Sequence, residues 1–242
     1  MSLLQSKRKS IKTRGVFAAI LGQRLGGKST IAGTLPGKSA MLTAKTFETG
    51  SATAEKLAAN LGAELDVYEF TSAKDLAAMA KEAAETYDNI FIDGASGLTE
   101  ILYRQPDITK ALLKNSWDGF ALLGDQVEDT LLVIKDLTEH DGGPNIFVTA
   151  SVEPKYDQAG NVIELVIESK GKSVIKNLRK IFPVVVSLRP QYDENGHVMD
   201  EPEMVTKTDG VHSGRIDSLL AQDNPGLLPA DLSVLINLIK GA

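Results

Sequence analysis

Short apolar runs alternate with stretches of helical spacing over the first two-thirds of the chain, and this pattern predicts β/α alternation. Val16–Leu21 is a continuous apolar run, suited to a strand buried on both faces. It leads into Gly22-Gln-Arg-Leu-Gly-Gly27 and then Lys28-Ser-Thr-Ile-Ala-Gly-Thr-Leu35, which predicts a glycine-rich turn and a helix opening at Lys28, ended by Pro36-Gly37. Ser39–Ala44 predicts a second buried strand, Lys45–Gly50 lies at its carboxyl end, and a helix is expected from about Ser51 to Asn60. Asp66–Phe70 predicts a third strand, and Ser72-Ala-Lys-Asp75 is a capping-box-like start to an alanine-rich helix reaching about Tyr87. Asn89-Ile-Phe-Ile-Asp93 is a short apolar strand ending on an aspartate. Residues 94–115 have mixed character, and Trp117–Gly124 reads as a surface loop or subunit contact. Helical spacing returns with Val127, Leu131, Leu132 and Ile134, Asp141-Gly-Gly-Pro144 breaks it, and Ile146–Ala150 predicts another core strand.

Beyond Ala150 the pattern changes to hairpins. Lys155–Ile167 alternates around Gly160-Asn161, and Val184–Met204 alternates around Asn195-Gly196, a strong two-residue turn signal. Gly171–Phe182 between them is basic and roughly helical, so that Lys172, Lys176, Arg179 and Lys180 form either a solvated face or a phosphate-facing stripe. A polar loop, Lys207–Arg215, precedes a closing amphipathic helix over Pro229–Lys240.

The glycine-rich turn carries the most specific chemistry. Gly22, Gly27, Lys28 and Ser29 fit G-x-x-x-x-G-K-[ST], in which successive backbone N–H groups cradle nucleotide phosphates. The nucleotide-binding stretch is therefore Gly22, Gln23, Arg24, Leu25, Gly26, Gly27, Lys28, Ser29 and Thr30, with Arg24 either touching phosphate or pointing to water. Lys28 is expected to reach the β/γ-phosphates and Ser29 to ligate Mg²⁺, and a helix start at Lys28 would add its positive dipole end. Asp93 either completes a Walker B pattern, its carboxylate holding a water of the Mg²⁺ shell opposite Ser29, or with Gly94 marks an ordinary turn, and the upstream loop favours the first. The intervening strand and helical segments suit a P-loop fold with an inserted strand. Glu48, at the carboxyl end of the second strand, is either the residue that orients the attacking water or a loop carboxylate capping the next helix. The hydroxyls of Thr149 and Ser151 read as ordinary strand-end groups.

Composition narrows the class further. A chain of 242 residues can bury a full core in one α/β domain, here expected over 15–242. With no cysteine, disulfides, thiolate metal sites and cysteine nucleophiles are excluded, and His140, His197 and His212 are too scattered to suggest a metal site. No apolar stretch is long enough for a membrane helix, and the basic start lacks the apolar core of a signal peptide, so a cytoplasmic protein without membrane contact is expected. The net charge is −6, and setting aside the five basic residues of 1–14 (Lys7, Arg8, Lys9, Lys12, Arg14) leaves −11 on the rest. The arm 1–14 is either a solvated terminus or a segment that lies along phosphates or acidic protein.

With these motifs placed, the sequence resembles the RecA-like ATPases of tailed phages, some of which accompany single-strand annealing proteins. The matching pieces are Gly22–Thr30, the strand-end acidic motif Thr46–Gly50, Ile90–Asp93, Gly171-Lys172 leading to Phe182–Arg189, and Val205–Arg215. One difference is that Ser151-Val-Glu153 stands where such proteins often carry a polar histidine or glutamine. The resemblance implies a RecA-like fold with a mainly parallel central sheet, flanking helices and C-terminal β-hairpins. It further implies ATP hydrolysis with Mg²⁺ between subunits of a ring or filament, acting on single-stranded DNA in recombination or replication alongside a phage annealing or single-strand-binding protein, in the bacterial host's cytoplasm. In such assemblies a neighbour's cation completes the site, which makes Arg189, Lys207 and Arg215 candidates by position. A nucleotide-gated assembly protein with slow turnover is the competing expectation, favoured by the acidic body. A small-molecule kinase is disfavoured by the lack of an Arg-rich lid after Asp93.

Overall fold

The computed structural model describes residues 14–45, 50–195, 197, 199, 201–216 and 223–241. Glu48, the arm up to Thr13, the turn residue Gly196 and the side chains of Lys176 and Arg179 lie outside the described residues. The strands are β1 (Phe17–Gly22), β2 (Lys38–Ala44), β3 (Glu64–Phe70), β4 (Asn89–Asp93), β5 (Asn145–Tyr156), β6 (Val162–Ile167), β7 (Val184–Arg189), β8 (Glu203–Val205), β9 (Arg215–Ile216) and β10 (Leu227–Pro229). The helices are α1 (Ser51–Asn60), α2 (Ala73–Ala83), α3 (Ala95–Tyr103), α4 (Pro106–Lys114), α5 (Ser116–Asp136), α6 (Lys172–Ile181) and α7 (Leu232–Lys240).

The chain is a mixed α/β fold whose mostly parallel central sheet is flanked by helices on both faces. The sheet runs β10-β8-β7-β1-β5-β4-β2-β3, with β6 on β5 and β9 on β7. Strands β3, β2, β4, β5, β1 and β7 are mutually parallel, whereas β8, β9 and β10 join antiparallel. β5 is inserted between β1 and β4, as the expected topology requires.

Alternation along each strand divides the core. Phe17, Ala19, Leu21, Ile90, Ile92, Ile146, Val148 and Ala150 face the helical layer of α2 to α6, where Leu76, Leu98, Ile108, Leu123, Val127, Leu131 and Leu178 meet them. Ala18, Ile20, Phe91 and Phe147 face the opposite layer, with Ile31 and Leu35 and the α7 residues Leu232, Leu235 and Ile236. Burial on both faces is why these strands read as continuous apolar runs.

Three segments depart from the sequence reading. The helix expected at Lys28 is only a 3₁₀ helix over Thr30–Thr34. Pro36 forces Leu35 into an extended conformation (φ −68°, ψ 133°), and a Cβ on Gly33 would lie 2.5 Å from the Ala54 carbonyl oxygen, so the short turn is wedged against α1. Trp117–Gly124 is not a loop but the start of α5, which Asn115 caps by accepting the Trp117 N–H at 3.0 Å. β5 extends past Ala150 to Tyr156 as one strand of 12 residues, whose outer half pairs with β6.

Candidate active site

The loop after β1 closes on itself. Lys28 Nζ donates to the Gln23 carbonyl oxygen at 2.8 Å, and the Gly26 N–H donates to the same oxygen at 3.1 Å. Gly27 adopts φ +82°, a left-handed conformation that glycine takes without a Cβ clash. Leu25 adopts φ 63° despite its side chain and stands wholly in solvent at the loop tip. Strain in this loop is therefore carried by a leucine as well as by glycine.

Below the loop, three strands bring one hydroxyl–carboxylate–hydroxyl chain together. Ser29 Oγ donates to Asp93 Oδ2 at 2.5 Å, and Thr149 Oγ1 donates to Asp93 Oδ1 at 2.7 Å. The register dictates this: Ile92 pairs with Val148, so Asp93 and Thr149 follow side by side, and Ile20 pairs with Thr149 from the other flank. Asp93 is 1% and Thr149 2% exposed, and each carboxylate oxygen has a donor. A buried carboxylate held this way keeps a fixed orientation. Thr149, set aside on sequence as a plain strand-end hydroxyl, is thus a partner of Asp93 rather than a group facing the cleft. Glu48 is not described, but Gly50 at the end of its segment packs on the loop: a Cβ there would lie 2.4 Å from that of Ser29.

A cleft of about 950 Å³ opens over Gly26–Thr30 and is bounded by Ser96 and Glu100 of α3, Ser151 and Glu153 of β5, and Glu168–Lys170 after β6. Arg24 spans it to Glu168, with Nε donating to Oε2 at 3.2 Å and Nη2 to Oε1 at 2.5 Å. Its side chain is 77% exposed, and it also meets a carboxylate that the sequence did not suggest. Lys170 Nζ pairs with Glu100 Oε1 at 2.8 Å and stands 4.0 Å from the Tyr103 ring centroid. Nothing in the local sequence marks Glu168 as the partner of Arg24, since the two are 144 positions apart.

The matching pattern extends well beyond the loop, because residues 14–213 match the family of AAA domains. The chain belongs to the AAA domain family. Membership marks it as a P-loop ATPase-like domain and suggests nucleotide binding and hydrolysis. No curated protein matches the chain in sequence. Among the described residues of this AAA domain, no helix is long and apolar enough to cross a membrane.

The candidate cations of the AAA domain sit at the margin formed by β7 to β10. Arg189 Nε pairs with Glu203 at 2.6 Å and its Nη1 with Asp209 at 3.0 Å. Burial pushes the Asp209 carboxyl up, but the backbone N–H groups of His212 and Val211 and the His212 ring outweigh it, and the group ends below its ordinary range. Arg215 Nη2 donates to the Phe182 carbonyl oxygen. Lys207 is exposed, and Pro202 of the same margin reaches Gly27, its Cγ 3.7 Å from where a Cβ would stand.

Proposed function

We propose that the chain is a RecA-like ATPase whose single catalytic domain spans 15–242, with ATP held by Gly22, Gln23, Arg24, Leu25, Gly26, Gly27, Lys28, Ser29 and Thr30. The observation that carries this reading is the hydrogen bond between Ser29 and Asp93, which joins the loop to the end of β4. The hydroxyl and carboxylate present oxygen to the hard cation Mg²⁺, which keeps part of its water shell, and Ser29 and Asp93 are the residues that would hold it, directly or through that shell, once their mutual hydrogen bond opens. When bound, Mg²⁺ neutralises charge on the transferring phosphate.

The chain's own residues do the remaining work. Lys28 exchanges its Gln23 carbonyl for phosphate oxygens, the loop N–H groups orient the triphosphate, and Thr149 keeps Asp93 anchored from the side away from the cleft. Glu48 orients the attacking water, its segment returning to Ser29 at Gly50. Arg189, Lys207 or Arg215 of a neighbouring copy completes the site in a ring or filament; Arg189 and Arg215 would first release in-chain partners. The resemblance to phage recombination ATPases supports single-stranded DNA as the macromolecular substrate, with a phage annealing or single-strand-binding protein as companion, in the bacterial cytoplasm.

A nucleotide-gated assembly protein with slow turnover is the second reading, favoured by the −11 carried outside the basic arm of a chain whose net charge is −6. Phosphate release measured with and without single-stranded DNA separates the two: stimulation supports the DNA-dependent ATPase, and slow turnover indifferent to DNA supports the assembly protein.

A further inference from the structure

Two large apolar side chains stand in solvent at one corner of the helical layer. Leu113 of α4 is 85% exposed, and Trp117 on the first turn of α5, the chain's only tryptophan, is 83% exposed. The backbone between them is fixed, because Asn115 Oδ1 accepts the Trp117 N–H and Asn115 Nδ2 donates to Asp118 at 3.0 Å. A rigid corner that presents a whole indole to water is unlike an ordinary scattered surface leucine.

Cations slightly outnumber anions around this corner although the chain as a whole is acidic. From Arg104 to Asp118 the sequence holds Arg104, Lys110 and Lys114 against Asp107 and Asp118; Arg104 pairs with Glu100 at 3.8 Å, Asp107 accepts Gln126 Nε2 at 2.9 Å and Asp118 accepts Asn115 Nδ2. Lys110, Leu113 and Lys114 share one face of α4 by their i, i+3, i+4 spacing, and both lysines are exposed. Exposed Lys172 adds a third cation, because Gly171 beside it packs on Phe120, one turn along α5 from Trp117; a Cβ on Gly171 would lie 2.9 Å from Phe120 Cδ1. The corner also lies at the functional edge of the sheet. The end of α5 delivers the chain to the start of β5, so its first turn, about 30 Å away, lies toward the carboxyl ends of the strands, as the loop Gly22–Thr30 does.

We infer that the Leu113–Trp117 corner is a contact site for single-stranded nucleic acid, a base stacking on the Trp117 indole while Lys110, Lys114 and Lys172 meet backbone phosphates. A flat aromatic face among cations matches a polyanion with unstacked bases; a docking protein segment would use Leu113 and Trp117 but leave the lysines without a role. Duplex is disfavoured because its bases are already stacked. The inference rests on the reading of the chain as a DNA-dependent ATPase, and it adds a second contact to the one expected of the arm 1–14.

The full chain with ATP and Mg²⁺ is titrated with fluorescently labelled oligothymidylate, reading anisotropy and, with unlabelled oligomer, Trp117 emission. Binding is expected to quench Trp117. Trp117→Ala is expected to weaken binding by about 10- to 100-fold and Trp117→Phe by less, the loss of one stacked base. Lys110→Gln with Lys114→Gln is expected to flatten the salt dependence of log K by about 1.4. ATP affinity, read with a fluorescent analogue, is expected to stay unchanged in every variant, which separates a lost contact from a lost fold. Wild-type binding that Trp117→Ala and the double lysine variant leave unaltered would overturn the inference while sparing the DNA reading. No binding by the wild-type chain would overturn both, and a Trp117→Ala effect on sedimentation mass alone would make the corner a protein contact instead.

Discussion

The centre and the margin of the sheet position charged groups by opposite means. In the centre, β1, β5 and β4 are locked residue by residue, from Phe17 opposite Ile146 to Gly22 opposite Ser151. Asp93 therefore cannot shift without moving a strand, and both of its oxygens are held by hydroxyls from neighbouring elements. At the margin, β8 and β10 pair over three residues each and β9 over two. There Arg189 stands opposite Glu203 in the end pair of the short β7–β8 ladder, and its side chain is held by ion pairs to Glu203 and Asp209. The buried carboxylate sits where strands pair over long registers, and the paired cation sits where they pair over three residues or fewer.

Core truncation puts that contrast to its largest test. Phe91→Ala, in a fully buried strand of the centre, is expected to cost about 3–5 kcal/mol in chemical denaturation. Arg189→Gln, at 29% side-chain exposure, is expected to cost about 0.2–1 kcal/mol. Equal losses would erase the distinction between centre and margin.

Next in size is Lys28→Ala, which removes a charge-assisted phosphate contact and is expected to weaken ATP binding by about 1.5–3 kcal/mol with an unchanged unfolding midpoint. A lowered midpoint would make Lys28 a structural member of the centre instead. Thr149→Val keeps the shape of the side chain but strips Asp93 Oδ1 of its donor, and should cost about 1–3 kcal/mol of stability, whereas Thr149→Ser should stay near wild type. If valine and serine behave alike in thermal unfolding, the hydroxyl is not what anchors Asp93.

The smallest effect lies at the margin. The carboxyl of Asp209 is depressed on folding, so it contributes stability above its unfolded pKa of about 3.9, and that contribution is lost as pH falls through the acid range. Asp209→Asn should accordingly lower stability slightly at neutral pH, leave the acid end nearly unaltered, and so flatten the acid side of a stability–pH profile. A larger change at acid pH than at neutral pH would contradict this.

The same contrast explains how much was legible in the sequence. The loop Gly22–Thr30 and the strand ending at Asp93 are local patterns, each set by consecutive residues, and α1 falls over Ser51–Asn60 as its spacing predicts. The length of the helix after Lys28 was not legible, because it depends on Gly33 meeting α1 as well as on Pro36. The start of α5 was masked by Trp117, Phe120 and Leu122, apolar residues that spread around the helix and blur its period. Thr149 and Glu168 were not recognisable because their partners, Asp93 and Arg24, come from distant strands and loops, and only the sheet register and the β5–β6 hairpin bring them together.

In the proposed ATPase Ser29 and Asp93 act as one Mg²⁺-dependent unit, and a magnesium titration of ATP hydrolysis by wild type and Asp93→Asn addresses this most directly. Asp93→Asn is expected to bind a fluorescent ATP analogue without metal as wild type does but to lose the magnesium-dependent rise in phosphate release. Phosphate release by Asp93→Asn at the wild-type rate, with the wild-type half-saturating magnesium concentration, would contradict it.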